Sequence, residues 1–134
     1  MSNERAGLSG DDLNRLFAGA CDDLAAERFA EARDTCRLLL DFLPAAAILH
    51  YNLGLACFGL GAFAEARDAF VLGALHAPAD TSALFYLALC QKRLGDTAAA
   101  IAAYRRVLEL APEQTDCLFN LAGCYRDSGD SGQA

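Results

Sequence analysis

The chain has 134 residues, 54% of them hydrophobic but only 9% aromatic, and a formal net charge of −7. That length holds one domain, with a core of small aliphatic side chains. Its only basic pairs are Lys92-Arg93 and Arg105-Arg106, so it lacks the basic face that neutralises phosphates, which excludes a nucleic-acid partner.

Met1 to Arg5 is polar, and residues 1–12 are expected to form a flexible N-terminal segment, frayed over 1–10. Side chains from Ser9 to Asp12 can cap a first helix placed near 11–26. Ala and Leu dominate the rest of the chain, and both lose little side-chain entropy in a helix. Further helices are expected near 30–42, 48–60, 64–76, 82–94, 98–110 and 116–128. No segment alternates with the two-residue period of a half-buried strand. From Phe42 to Ala64 no residue is charged, a length able to span a bilayer. Pro44, Asn52, Gly54, Gly59 and Gly61 interrupt it, with turns expected at Pro44 and near Gly61, so a membrane span is rejected.

Pro44, Pro78 and Pro112 each stand 34 residues after the last, and that period sets a register. Gly61, Gly95 and Gly129 form one column on it, Ala32, Ala66, Ala100 and Ala134 another, and Leu53, Leu87 and Leu121 a third. Small residues at Ala20, Gly54, Ala88 and Ala122 let the first helix of each pair approach the second, as Ala32, Ala66 and Ala100 do from the partner helix. A larger side chain there would wedge the pair apart. The glycine column falls where first helices end, at the left-handed position of a helix terminator. Each proline ends a second helix and presets the turn into the next pair.

This pattern resembles the tetratricopeptide repeat (TPR) family, whose signature runs from an aromatic or Leu through Leu-Gly, an aromatic, Ala and an aromatic to Pro. The resemblance covers residues 13–134. One repeat reads Leu53-Gly54, Gly61, Ala66, Phe70, Pro78; the next reads Leu84, Leu87-Ala88, Gly95, Ala100, Tyr104, Pro112; a last begins Leu118, Leu121-Ala122, Tyr125, Gly129. The first repeat departs most, with Gly19-Ala20 for Leu-Gly and with Asp23 and Cys36 in the aromatic columns. The resemblance implies an all-α fold, a right-handed α-α superhelix of three full repeats (13–46, 47–80 and 81–114) plus the first helix of a fourth (115–134).

Chemistry-bearing motifs are absent. His50 and His76 fall in different helices with no carboxylate or cysteine at metal-ligand spacing, so neither metal nor cofactor is expected. No phosphate-cradling glycine loop, nucleophile elbow or zinc-protease motif occurs. Asp22, Asp23, Glu27 and Glu31, interspersed with Arg28 and Arg33, read as a solvated helix face. Ten of the eleven cations are Arg, which reads as compositional bias and not as a binding patch. The six cysteines form no C-x-x-C pair and follow no signal peptide; thiols among apolar helical residues indicate a reducing cytoplasm. A chain without enzymatic activity is expected.

Phe17, Tyr51, Phe85 and Phe119 form an unbroken aromatic row on the same period, followed directly by Ala18, Asn52, Tyr86 and Asn120. Such rings either pack successive first helices together or face a ligand. In the TPR family this row lies on the helices lining the concave groove, so the resemblance implies that Phe17, Tyr51, Asn52, Phe85, Tyr86, Phe119 and Asn120 bind peptide, with Asn gripping the ligand backbone. The family's carboxylate clamp for chaperone tails needs Lys, Asn, Lys and Arg in columns that here hold Phe17, Cys21, Asn52, Ser82 and Tyr86; only Asn52 matches, so an apolar ligand is expected. The functional expectation is a scaffold for an extended peptide or partner protein. Two alternatives stay open: the N-terminal TPR module of a larger enzyme, such as a methyltransferase or glycosyltransferase, and a bacterial secretion chaperone. Leu118, Leu121 and Tyr125 are expected to leave an apolar strip that drives self-association.

Overall fold

The computed structural model describes residues 7–129. Seven α-helices follow one another: α1 (Gly10–Ala25), α2 (Phe29–Phe42), α3 (Ala47–Gly59), α4 (Phe63–His76), α5 (Thr81–Arg93), α6 (Thr97–Leu110) and α7 (Thr115–Asp127). Each starts within one residue of its expected place, and no strand occurs among the described residues. The α1 helix begins early because Ser9 closes a capping box: its hydroxyl accepts from the Asp12 N–H at 3.1 Å, and the Asp12 carboxylate accepts from the Ser9 N–H at 2.9 Å. Residues 10–12, placed by the sequence in the N-terminal segment, are therefore helical; residues 1–6 lie outside the described residues. Asp80 and Asp96 cap α5 and α6 through their side chains as well.

Two kinds of corner alternate. The corner inside each pair is a left-handed terminator: Gly61 and Gly95 have φ of 77° and 86°, and the crossed bonds Gly61 N–H to Phe58 O and Ala62 N–H to Cys57 O close it. The same crossed bonds recur at Glu27 and Gly95. The corner between pairs is set by proline: α2, α4 and α6 stop at Phe42, His76 and Leu110, each two positions ahead of one.

Each helix packs on the next in sequence, and α1 also touches α3. Ala20, Ala32, Ala66, Ala88 and Ala100 are wholly buried at the contacts within pairs. A Cβ added to Gly54 would stand 2.6 Å from the Phe70 ring, so the close approach of α3 and α4 depends on its absence. The core runs as two connected clusters. Cys57, Ala66, Phe70, Ala83, Leu87 and Cys90 join α3, α4 and α5, while Ala88, Ala100, Tyr104, Val107, Cys117 and Cys124 join α5, α6 and α7. Because α5 belongs to both, the core extends along the stack as a solenoid core does. The uncharged stretch is divided by corners among α2, α3 and α4, and no described helix is long and apolar enough to cross a membrane.

Candidate functional site

The aromatic row is brought together in part. Phe17, Tyr51 and Phe85 are half-buried, whereas Phe119 is 76% exposed. Tyr86 stacks on Phe70 with centroids 5.5 Å apart and meets Tyr51, Phe58 and Phe85 edge-on. Phe85 also meets the buried Tyr104 edge-on at 5.9 Å. Tyr51, Phe85 and Tyr86 thus share one aromatic cluster that ties α3 to α6. Burial pushes the Tyr51 hydroxyl pKa up, with Tyr86 and Asp80 adding to the effect and a hydrogen bond with Ser82 opposing it. Phe17 stands apart, in a cavity with Leu13, Leu39, Leu43, Ile48 and Leu49 at the α1 end.

The asparagines divide likewise. Asn52 is only 6% exposed, and its amide points to the Cys21 sulfur at 3.9 Å. Asn120 is half-buried and opens onto a cavity of about 300 Å³ between α5 and α7. Leu89, Lys92 and Arg93 of α5, Tyr104 of α6, and Phe119, Asn120, Gly123 and Arg126 of α7 form its walls. Lys92 pairs with Asp127 at 2.8 Å, and the Arg93 guanidinium lies 5.1 Å from the centre of the Phe63 ring. Burial raises the Tyr104 hydroxyl pKa strongly.

Sequence reasoning missed this cavity, although a signal was present: Lys92 and Arg126 stand 34 residues apart in one column. Taking the arginines as compositional bias hid it. Tyr125, expected in the apolar C-terminal strip, is 5% exposed because Arg105 folds over its ring and bonds its hydroxyl. Leu118, at 49% exposure, stays in the strip. His50 and His76, on different helices, stack at 5.5 Å, and His50 Nε2 donates to the Pro44 carbonyl at 2.8 Å. No group of three or more His, Cys, Asp or Glu among the described residues could hold a metal ion. All six cysteines are free and only Cys21 is exposed; burial pushes the Cys36 and Cys90 thiols up to about 11, which keeps them protonated and inert.

Stacked helix pairs with a cavity opening between first helices define the class of helical-repeat proteins. Tetratricopeptide repeat models match residues 17–83 and 82–113, and the chain belongs to the tetratricopeptide repeat family. A comparison with curated proteins finds no match. Among solved structures, the first TPR of Spaghetti (RPAP3) bound to the HSP90 peptide SRMEEVD is 22% identical, covering 91% of this chain and 97% of that one at a TM-score of 0.85. The type III secretion chaperone SycD of Yersinia enterocolitica, in complex with a peptide of the translocator YopD, is 18% identical, with coverage of 91% and 98% and a TM-score of 0.84. PcrH in complex with the chaperone binding region of PopB is 25% identical, with coverage of 88% and 95% and a TM-score of 0.75.

Proposed function

We propose that this chain is a protein-interaction scaffold that holds an extended peptide along its first helices and catalyses no reaction itself. The observation that carries the reading is Phe119, a large ring 76% exposed on the rim of an open cavity whose other walls offer the Asn120 amide and the Leu89 side chain. Exposed aromatic anchors beside a concavity are what peptide interfaces use for most of their binding energy. The proposed contact row is Phe17, Tyr51, Asn52, Phe85, Tyr86, Phe119 and Asn120, with Phe119 and Asn120 touching ligand most directly and the cluster of Tyr51, Phe85 and Tyr86 fixing the surface behind them. Repeats at 13–46, 47–80, 81–114 and 115–134 are the units of this surface. The reading includes a reducing, cytoplasmic setting, which six free thiols support.

The secretion-chaperone reading is favoured by a specific observation: SycD and PcrH align over nearly their whole lengths, and both hold segments of another protein. It is a special case of the same scaffold.

The test takes peptides selected from a random displayed library and measures affinity and melting temperature together. Phe119→Ala should weaken binding about tenfold and leave the melting temperature unchanged. Phe85→Ala should lower stability by roughly 2–4 kcal/mol, since its ring is packed into the core. Selected peptides whose affinity is indifferent to Phe119→Ala would sink the groove assignment.

A further inference from the structure

The second helix of each pair carries three outer positions that recur on the 34-residue period. They hold Arg37, Leu38 and Asp41 on α2, and Arg105, Arg106 and Glu109 on α6. On α4, between those two helices, they hold Val71, Leu72 and Leu75, all exposed, Leu75 by 66%. Val71 and Leu75 lie one turn apart with Leu72 beside them, so the three form one patch. The helices that α4 packs on, α3 and α5, leave it open. First helices approach one another across the pairs, as α1 and α3 do, so α2, α4 and α6 form the outer layer, away from the groove. An apolar patch of this size is within what monomers show, so size alone decides nothing. Its flanks carry more information. On both sides a cation stands four residues ahead of an acid, Arg37 before Asp41 and Arg105 before Glu109, so both flanks run from positive to negative along the helices. Arg37 bonds Glu65 and Arg106 bonds Glu109 on this surface, exposed pairs that exchange partners at little cost. Arg105 is drawn over Tyr125, which makes α2 the more available flank.

We propose that this outer face binds a second copy of the chain, the two α4 helices packing antiparallel about a two-fold axis. Charge decides the direction. With the axis along α4 the two helices would run parallel and α2 would lie over the partner's α6. Arg37 would then face the partner's Arg105, and Asp41 the partner's Glu109, like charges throughout. With the axis across α4 each outer helix faces its own copy in reverse. Val71 meets the partner's Leu75, Leu72 meets its own copy at the axis, and Arg37 meets the partner's Asp41, every off-axis contact being made twice. Arginine suits the flanks of two surfaces that curve away from each other, because its long side chain spans the widening gap. The three apolar side chains expose roughly 300 Å² per copy, and a charged rim of similar size brings the whole contact to about 1,200 Å², the lower limit of a specific interface. That area fits a reversible dimer with a dissociation constant on the order of micromolar. The two grooves open on opposite sides of such a dimer, so the contact goes beyond the scaffold reading by making the scaffold bivalent.

The test is sedimentation equilibrium of the full chain at low salt, with Leu118→Ser and Phe119→Ala carried throughout so that the exposed pair on α7 does not contribute. This parent should form a concentration-dependent dimer. Leu75→Arg sets a cation into the apolar centre twice over and should weaken the dimer at least about a hundredfold, with the melting temperature of the dilute protein unchanged because Leu75 is exposed. Asp41→Arg sets two cations against each other on the α2 flank and should weaken it about tenfold. Adding Arg37→Asp to that variant exchanges the two charges and should restore the dimer to within about threefold of the parent, since the reversed flank again faces its own complement. Melting temperatures of all variants at low concentration show that each is folded. A parent that stays monomeric at high concentration overturns the proposal, as does a dimer indifferent to Leu75→Arg. Asp41→Arg that tightens association would reveal the parallel order, and an exchange that restores nothing would show that the flanks do not face their own copies; either result overturns it too.

Discussion

Glu27 has a φ of 61°, the one positive value among the described non-glycine residues, and it stands 34 positions before Gly61. The terminator geometry of the first pair is thus kept with a side chain in place, at a cost of roughly 1–2 kcal/mol for an L-residue in the left-handed region. Glycine would remove that strain but would also loosen the unfolded chain, an offset of roughly 0.5–1 kcal/mol. Glu27→Gly should therefore stabilise the protein by about 0.5–1 kcal/mol, read as a rise in the urea midpoint at constant slope; a lowered midpoint would show the strain to be relieved some other way. The sequence displayed the glycine column at Gly61, Gly95 and Gly129 but not its first member. Periodicity compares residue identities, whereas what repeats is a backbone conformation that another residue can be held in. The aromatic row has the mirror-image problem: identical types recur at Phe85 and Phe119, yet one is half-buried and the other 76% exposed. The difference arises because α6 covers Phe85 through Tyr104, and among the described residues no helix comes after α7.

Helix by helix, the boundaries were legible because glycine, proline and Asp or Ser caps act within one turn of where they stand. The close approach at Gly54 was legible too, because it stands in the small-residue column of the first helices; what was not legible is how much room surrounds Gly73, which lies in the partner helix outside that column. A Cβ on Gly54 would meet the wholly buried Phe70 ring at 2.6 Å, while one on Gly73 would find Ala83 Cβ, Tyr51 N and Ala47 O at 3.6–3.7 Å, ordinary contact distances. The Phe70 ring also stacks on Tyr86, so it cannot yield without disturbing the aromatic cluster. Gly54→Ala should destabilise by roughly 1–3 kcal/mol through overpacking. Gly73→Ala should instead gain up to about 1 kcal/mol of helix propensity, because its added methyl fits. Thermal melts of the two variants check this directly; equal shifts in the same direction would contradict the close packing of α3 on α4.

Over the whole molecule, the same property that suits a solenoid to binding also exposes its ends. In a stack where every pair packs on the next, a terminal helix keeps one apolar face uncovered unless that face is polar. Leu118 and Phe119 are exposed side by side on α7, the last helix among the described residues, while Tyr125 is withdrawn from them by Arg105. A second copy presenting the same strip could cover them, and this strip adjoins the cavity proposed to take peptide. Self-association there and peptide binding should therefore compete. In a Leu75→Arg background, which removes the contact proposed for α4, sedimentation equilibrium is expected to show a concentration-dependent dimer that Phe119→Ala or Leu118→Ser weakens by about tenfold, a loss equivalent to one buried anchor side chain. Adding a library-selected groove peptide should shift the population to monomer, and the dimer in turn should lower the apparent peptide affinity as protein concentration rises. A strict monomer at high concentration would show that the strip does not pair with itself. A dimer indifferent to both substitutions and to peptide would place this second contact away from α7.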